Sequence, residues 1–145
     1  MKLFASLVTD ANINALIQVN ELVEGYCRNH QATPELEQTL LLVCEEVFAN
    51  IVNHGFCAPG GHAIEIKIYH DADRVMLEFK DNGLAFNPLH QQAPQLGLPV
   101  AETPVGGLGL PLIRELSDEL NYHRQGNYNI LSLQWNKQGQ TGQDP

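Results

Sequence analysis

The chain has 145 residues, of which 43% are hydrophobic, and a formal net charge of −9 at pH 7. This length suffices for one domain with a substantial core. The negative charge and the lack of a basic run argue against direct binding to nucleic acid. No apolar run approaches the roughly 20 residues that a membrane-spanning helix needs, and the first ten residues lack the apolar region of a signal peptide. We therefore expect a cytoplasmic protein that contacts neither nucleic acid nor membrane.

The cysteines do not predict a metal centre or a disulfide framework. Cys27, Cys44 and Cys57 are an odd number without zinc-type spacing. Two of them fall on apolar faces of predicted helices, so we expect reduced, buried side chains that act as small hydrophobes. His54 and His62 lie close to Cys57, but no paired motif accompanies them.

An edge strand and a helix are predicted at the start of the chain. Residues 2–8 alternate weakly between polar and apolar side chains, as in an edge strand. Thr9 or Asp10 can cap a helix that runs to about Asn29, with apolar residues recurring on one face.

The second predicted helix has the clearest start signal in the chain. Thr33-Pro34-Glu35 combines a capping threonine, a proline at the first helical position and an acid in the first turn. The helix is predicted to continue to about Gly55. Most of its surface is apolar, which predicts burial.

One polar stripe interrupts this apolar helix. Residues four and seven apart share a helix face, so Glu46, Asn50 and Asn53 lie together. Burying a carboxylate and two amides is costly unless each has a partner. The stripe therefore predicts either an internal hydrogen-bond network or a ligand.

The second half of the chain predicts two hairpins, a long loop and a third helix. Alternating side chains predict strands, and Asp71–Asp73 and Gly126-Asn127 predict the turns between them. The polar, glycine-rich end predicts a disordered tail after a single α+β domain of residues 1–136. The predicted ranges are strands 64–69 and 75–80, loop 82–106, helix 108–120, strands 122–125 and 129–135, and tail 137–145.

Two segments that border the long loop suggest a ligand site. Asp81-Asn82-Gly83 ends a strand and by itself would be a turn. Gly106-Gly107-Leu108-Gly109-Leu110 precedes an amphipathic helix and by itself could be a hinge. Glycines let backbone N–H groups approach an anion, and a helix N-terminus adds a favourable dipole. A loop of this length is often a binding loop.

The order and spacing of three motifs resemble the nucleotide-binding boxes of the GHKL, or Bergerat-fold, ATPase superfamily. These motifs are Glu46-x-x-x-Asn50, Asp81-x-Gly83-x-x-Phe86 and the glycine-rich segment 106–110. The local sequences are similar to those of its small single-domain branch, the anti-sigma-factor serine/threonine kinases of bacterial partner switches. The resemblance covers about residues 5–136. It implies a mixed, mostly antiparallel sheet with helices on one face and an ATP lid at 88–105.

The resemblance also implies cofactors and residue functions. ATP and Mg²⁺ would be bound, with Glu46 as the general base and Asn50 as the Mg²⁺ ligand. Asp81 would accept a hydrogen bond from the adenine amino group, and Gly83 would give the adenine room. Gly107 and Gly109 would hold the phosphates. The other nucleotide-binding candidates are Asn53, Phe86, Gly106, Leu108, Leu110 and Ser132.

Three functional hypotheses remain open from the sequence. The first is a Mg-ATP-dependent serine/threonine kinase that acts on a small anti-anti-sigma partner, which the presence of Glu46 favours. The second is a nucleotide-gated module that sequesters a sigma factor or other regulator. It is favoured by Leu108, which stands where some members of the branch carry a basic residue. The third is a structural domain without nucleotide. The resemblance also suggests a homodimer in which residues 2–8 could take part.

Overall fold

The structure is a computed structural model that describes residues 1–54, 62–85 and 109–137. The described residues form five strands, three α-helices and one 3₁₀ turn. In chain order they are β1 (Lys2–Asp10), the 3₁₀ turn Ile13–Ala15, α1 (Leu16–Asn29), α2 (Pro34–His54), β2 (Ala63–His70), β3 (Arg74–Asp81), α3 (Gly109–Leu116), β4 (Glu119–Gln125) and β5 (Tyr128–Asn136).

The five strands form one sheet in the order β1-β2-β3-β5-β4, and every described pair is antiparallel. Alternate residues along β2, β3 and β5 are buried, because successive side chains of a strand point to opposite faces. The buried set on this face is Ile64, Ile66, Ile68, Val75, Leu77, Phe79, Leu131, Leu133 and Trp135.

The helices cover that buried face of the sheet. Side chains of α1 and α2, and Ile113 of α3, join the strand residues in one hydrophobic core. Cys27 and Cys44 are buried there as free thiols, which confirms the prediction for these two cysteines. The predicted α+β architecture with helices on one face is therefore confirmed. Within the described ranges, no helix has both the length and the apolar character needed to cross a membrane.

The predicted start of the first helix is wrong. Thr9 and Asp10 do not cap a helix, because they pair with Ile64 and Ala63 and extend β1. Asn12 caps the 3₁₀ turn that leads into α1: its Oδ1 accepts a hydrogen bond from the backbone N–H of Asn14 over 2.8 Å. Strand pairing outweighs the local capping preference here.

The predicted end of the third helix is also wrong. The helix was expected to reach residue 120, but α3 ends at Leu116 and β4 begins at Glu119. The backbone N–H of Asp118 donates to the carbonyl of Gln134 over 2.9 Å, so the chain has already joined β5 at this point. The indole Nε1 of Trp135 donates to the carbonyl of Leu116 over 2.7 Å. These contacts tie the end of α3 to the sheet.

Three segments of the chain lie outside the described residues: 55–61, 86–108 and 138–145. The expected lid at 88–105 and most of the expected tail fall within them. Lys137, the first residue of the expected tail, is described: its backbone N–H donates to the carbonyl of Asp73 over 2.8 Å. The division into a domain of 1–136 and a tail stays a prediction.

Replacing Thr33 with alanine should destabilise the protein by about 1 kcal/mol, because it removes the side-chain cap of α2. The Oγ1 of Thr33 accepts a hydrogen bond from the backbone N–H of Leu36 over 3.1 Å, as the sequence predicted. Urea unfolding measures the change. Thr33→Ser keeps the acceptor and should retain most of the stability. Equal losses in both variants would contradict the capping account.

Candidate functional site

The polar stripe of α2 is only partly buried. Asn50 is 5% exposed, whereas Glu46 is half-buried and Asn53 is exposed. The expectation of a buried Asn53 is therefore wrong, because burial of the helix ends at Ile51 and Asn53 lies in the last turn. Glu46 and Asn50 are one helical turn apart and share a face.

Asn50 carries a buried oxygen that suits a metal ion. Among the residues that the structure describes, none donates a hydrogen bond to its Oδ1. A buried polar atom without a partner needs an explanation, such as a ligand or an ion. An amide oxygen is a hard ligand of the kind that Mg²⁺ accepts alongside waters and phosphates. The amide oxygen of Asn50 therefore fits the Mg²⁺ ion that the resemblance implied.

Glu46 has the properties of a general base. Burial raises the pKa of its carboxyl above the ordinary value, and the neighbouring negative charge of Glu45 raises it further. A raised pKa makes the carboxylate a stronger proton acceptor while it remains ionised. Glu45 is exposed and lies 100° around the helix, so the two acids face different surroundings.

Asp81 is the last residue of β3 and is only 5% exposed. Its Oδ1 accepts hydrogen bonds from the backbone N–H of Gly83 over 2.9 Å and from the Nδ2 of Asn129 over 3.0 Å. Among the described residues, no hydrogen bond reaches its Oδ2. One oxygen is thus held by the protein, and the other can accept from a ligand.

Asn129, which the sequence analysis did not identify as a site residue, holds Asp81 in place. It sits opposite Asp81 in the pairing of β3 with β5. Its Nδ2 also donates to the carbonyl of Leu84 over 2.7 Å, and its Oδ1 accepts from the hydroxyl of Tyr122. Asn129 therefore links the carboxylate of Asp81 to the chain that follows it.

Arg124 extends this network to the hairpin between β4 and β5. Its guanidinium donates to the carbonyl of Gly83 over 2.8 Å and to the Oδ1 of Asn129 over 3.1 Å. It also donates to the carbonyl of Gly126 over 3.2 Å. Arg124, on the edge strand β4, thus stabilises the turn after Asp81 through its hydrogen bond to Gly83. The sequence could have indicated the contacts of Arg124 only through a correct prediction of how β3, β5 and β4 pair.

The position of Asp81 disfavours the ionised form of its carboxyl. Burial raises the pKa of its carboxyl above the ordinary value. The hydrogen bonds from Asn129 and Gly83 and the charge of Arg124 act in the opposite direction without cancelling the effect of burial. A carboxylate kept at this position costs stability at neutral pH, which is typical of functional sites.

The three elements that carry the predicted motifs border the same side of the sheet. α2 packs on the face to which Asp81 belongs, and it contacts α3. The sequence predicted a helix that starts at residue 108, and α3 begins one residue later, at Gly109. The backbone of Gly109 and Leu110 lies in its first turn. Phe86, Gly106, Gly107 and Leu108 lie outside the described residues.

Ser132 is not brought together with Asp81. It pairs with Glu78 and Asn121, and the strand alternation puts it on the sheet face opposite to Leu131 and Leu133. A nucleotide held between the helices and the sheet would lie on the other face. Nucleotide contact by Ser132 stays a prediction that the position of this residue does not favour.

Replacing Asn129 with alanine should destabilise the protein by about 1–3 kcal/mol, because Asp81 and Arg124 each lose a hydrogen-bond partner. Asn121→Ala on β4 is the matched control, since Asn121 is exposed and makes one long contact of 3.4 Å to Glu119. Thermal unfolding measures both. A loss in Asn129→Ala no larger than in Asn121→Ala would contradict the network.

Comparison with known sequences identifies one family. The histidine kinase-like ATPase domain matches residues 9–135 of the chain. Among characterised proteins, the serine/threonine-protein kinase BtrW of Bordetella bronchiseptica is 34% identical over 98 residues. That match covers 68% of this chain and 69% of BtrW.

Solved structures agree with this assignment at the level of fold. The RsbU and RsbW domains of Rv1364c from Mycobacterium tuberculosis give a TM-score of 0.62 at 17% identity, over 90% of this chain and 31% of that one. The catalytic domain of the histidine kinase ThkA gives 0.52 at 15% identity, over 94% of this chain and 97% of that one. These identities are too low to carry more than the fold, which is the expected Bergerat fold.

The sequence match and the fold lead to one conclusion. An ATPase domain of this kind implies ATP binding, and the kinase relative points to the same branch that the three motifs indicated. The chain belongs to the histidine kinase-like ATPase domain family and has a serine/threonine-protein kinase among its relatives.

Proposed function

We propose that the protein is a Mg-ATP-dependent kinase that phosphorylates a serine or threonine of a small anti-anti-sigma domain in a bacterial partner switch. The observation that carries the proposal is the pairing on α2 of a half-buried carboxylate with a buried amide oxygen one turn later, at Glu46 and Asn50. One group can accept a proton and the other can bind a hard cation.

In this proposal Asp81 selects the base of the nucleotide. Its Oδ2 accepts a hydrogen bond from the adenine amino group, while Gly83 and Asn129 hold Oδ1. Guanine presents a carbonyl oxygen at the corresponding position, which would face a carboxylate oxygen without a proton between them. The site therefore favours ATP over GTP.

Glu46 acts as the base in the transfer step. The hydroxyl oxygen of the substrate forms a bond to the γ-phosphorus while the bond to the β–γ bridging oxygen breaks, and ADP leaves with that electron pair. The hydroxyl proton passes to Glu46. Bound Mg²⁺ supplies neutralisation of the charge on the phosphates, and the Oδ1 of Asn50 would hold it. The backbone at the start of α3 adds a favourable dipole for the phosphates.

The alternative is a nucleotide-gated module that sequesters a sigma factor or other regulator without phosphoryl transfer. Leu108 favours it, because the glycine-rich motif lacks the basic side chain that would neutralise transferred charge. In both cases the edge strand β1, with Leu3 52% and Val8 63% exposed, supports a proposed homodimer. A monomer in sedimentation at high micromolar concentration would remove the dimer from the proposal.

The test is incubation of the protein with γ-labelled Mg-ATP and purified anti-anti-sigma domains from the same genome. The kinase proposal predicts label on a serine or threonine of one such domain. The same domain with that residue changed to alanine should stay unlabelled. Nucleotide-dependent complex formation without any label would instead support the binding module.

A further inference from the structure

A second cleft lies at the opposite end of the sheet from Asp81. His70 pairs with Val75 next to the turn between β2 and β3, whereas Asp81 pairs with Ile64 at the other end of these strands. Val75 and Asp81 are six positions apart on β3, which is roughly 20 Å at the rise of a strand. The cleft near His70 is therefore separate from the proposed nucleotide site.

This cleft has a volume of about 500 Å³, within the usual range of small-molecule sites. Basic side chains come to it from β1, the end of α1, β2 and the residue after β5. Its lining consists of Met1, Lys2, His30, His70, Asp71, Ala72 and Lys137. Two lysines and two histidines around one cleft are a strong local concentration in a chain with a net charge of −9.

Aromatic packing holds the two imidazoles next to each other. The ring centroids of His30 and His70 are 4.5 Å apart. Tyr26 stacks on His30 at 4.7 Å, and Phe4 meets both Tyr26 and His30 edge-on at 5.1 Å. The two imidazoles are therefore held against the aromatic ring of the core residue Tyr26.

The carboxylate of Asp71 makes its hydrogen bonds and its ion pair within its own turn, although its charge also acts on His70. Its Oδ1 accepts hydrogen bonds from the backbone N–H groups of Asp73 and Arg74 over 2.9 and 2.8 Å. Its Oδ2 lies 3.5 Å from the guanidinium of Arg74. The Nζ of Lys137 contacts the carbonyl of Asp71 over 2.7 Å, not its carboxylate. The positive charges of the cleft thus lack an acidic partner among the described salt bridges.

A buried donor adjoins the same cleft. Tyr26 is fully buried, and within the described residues its hydroxyl has no hydrogen-bond partner. A cavity of about 70 Å³ is lined by Tyr26 together with His30 and Lys137, which also line the larger cleft. Burial raises the pKa of Tyr26 to about 12, so the hydroxyl keeps its proton at neutral pH. A buried hydroxyl without a partner indicates a missing acceptor.

We propose that the cleft between Lys2, His30, His70 and Lys137 binds the phosphate group of a small phosphorylated molecule. A phosphate ester carries close to two negative charges at neutral pH and three acceptor oxygens, which match the two lysines and the imidazole N–H groups that line the cleft. The volume leaves room for an organic part of the ligand beside the phosphate. The source of the phosphate is either such an ester or free inorganic phosphate.

The affinity of this cleft should rise as the pH falls. Burial lowers the pKa of His70, and the positive charges of His30, Lys137 and Lys2 lower it further, whereas Asp71 acts in the opposite direction. An anion bound beside the imidazole of His70 favours its protonated form, so binding takes up protons. Met1, whose α-amino charge acts on Asp71, also lines the cleft, whereas Tyr26 stays neutral throughout.

The test follows the imidazole NMR signals of His30 and His70 during titration with inorganic phosphate, glycerol phosphate and sulfate, with saturating Mg-ADP present. We expect saturable shifts of these two residues, with His123 on β4 as an unaffected internal reference. Tighter binding of glycerol phosphate than of phosphate identifies the ester as the source, and the reverse identifies the free ion. Sulfate does not titrate in this range, so a stronger affinity at about pH 6 than at about pH 8 reports proton uptake by the protein, and the imidazole signals of His70 show whether His70 takes up that proton.

Charge-matched variants distinguish a site from general screening. Lys2→Gln should weaken phosphate binding at least about threefold, and Lys2→Gln with Lys137→Gln should weaken it further. Lys67→Gln removes the same charge from the outer face of the sheet, where Lys67 lies 3.9 Å from Glu65, and should have no effect. The proposal is overturned if the shifts do not saturate, or if Lys2→Gln and Lys67→Gln behave alike. If the double variant fails to fold, the comparison of Lys2→Gln with Lys67→Gln alone tests the proposed phosphate site.

Discussion

Glu46→Gln is expected to reduce phosphoryl transfer by about 10²–10⁴-fold, the usual contribution of a positioned general base. The amide keeps the size of the side chain but cannot accept the hydroxyl proton. Nucleotide affinity should change little, because Glu46 has no proposed contact with the base or the metal. Single-turnover transfer of labelled phosphate to the partner domain measures the rate, and equilibrium binding of a fluorescent ATP analogue measures the affinity.

Glu45→Gln is the matched control, since it removes the same charge from the neighbouring exposed position. It should leave transfer within a few-fold of wild type and lower the pKa of Glu46, because Glu45 contributes to raising it. In the wild type the transfer rate should fall as the pH drops through the raised pKa of Glu46. This fall in the transfer rate should occur at lower pH in Glu45→Gln and should be absent in Glu46→Gln. Undiminished transfer by Glu46→Gln would exclude Glu46 as the base.

Asp81→Asn is expected to weaken ATP binding by about 10–100-fold, the loss that goes with about 1–3 kcal/mol from a mismatched buried hydrogen bond. Gly83 and Asn129 both donate to one side-chain oxygen, so the asparagine must turn its oxygen toward them. Its amide N–H groups then face the adenine amino group, and donor meets donor. The carbonyl of guanine would be accepted better, so the ratio of ATP to GTP affinity should fall. Calorimetric titration with both nucleotides measures this.

The same substitution should not reduce the stability of the nucleotide-free protein at pH 7. Since burial raises the pKa of Asp81 in the folded state, the folded state binds a proton more tightly than the unfolded state. The contribution of the protonated Asp81 carboxyl to the free energy of unfolding is therefore fully present below its ordinary pKa. It is lost as the pH rises through the raised pKa. The melting temperature of Asp81→Asn should equal or exceed that of wild type at pH 7 and lose this advantage in acid. A lower melting temperature at pH 7 would show that the charge stabilises the fold.

Local sequence patterns predicted the elements whose causes are local. The strand alternation from Ile64 to Phe79 has a period of two, which one buried sheet face imposes. The start of α2 was predicted because Thr33 and Pro34 act on their own helix. The same approach failed at Thr9 and Asp10, whose capping preference is overridden by pairing with β2. It also failed at the end of α3, where contacts with β5 take over after Leu116.

The site residues also divide into those that local spacing predicts and those that it does not. Glu46 and Asn50 could be paired from the sequence because a helix fixes their spacing. Asn129 was missed because its contact with Asp81 spans 48 positions and depends on the register of β3 with β5. Ser132 was placed near the nucleotide by its position in the last strand, but the alternation of β5 puts it on the opposite face. The contact of Asn129 depends on long-range pairing, which no short motif encodes, whereas the face of Ser132 follows from the local alternation of β5, and its contact with nucleotide stays a prediction.

Nucleotide binding at the three motifs is best tested by thermal unfolding with Mg-ATP, Mg-ADP, Mg-GTP and no nucleotide, on the wild type, Asn50→Ala and Asn121→Ala. A ligand at about 100 times its Kd adds about 2.7 kcal/mol, which is a shift of several degrees at this size. We expect stabilisation by adenine nucleotides alone, a reduced Mg-ATP shift in Asn50→Ala, and a wild-type shift in Asn121→Ala, whose side chain is exposed on β4. No shift with any nucleotide at millimolar concentration, or equal shifts in all three proteins, would contradict it.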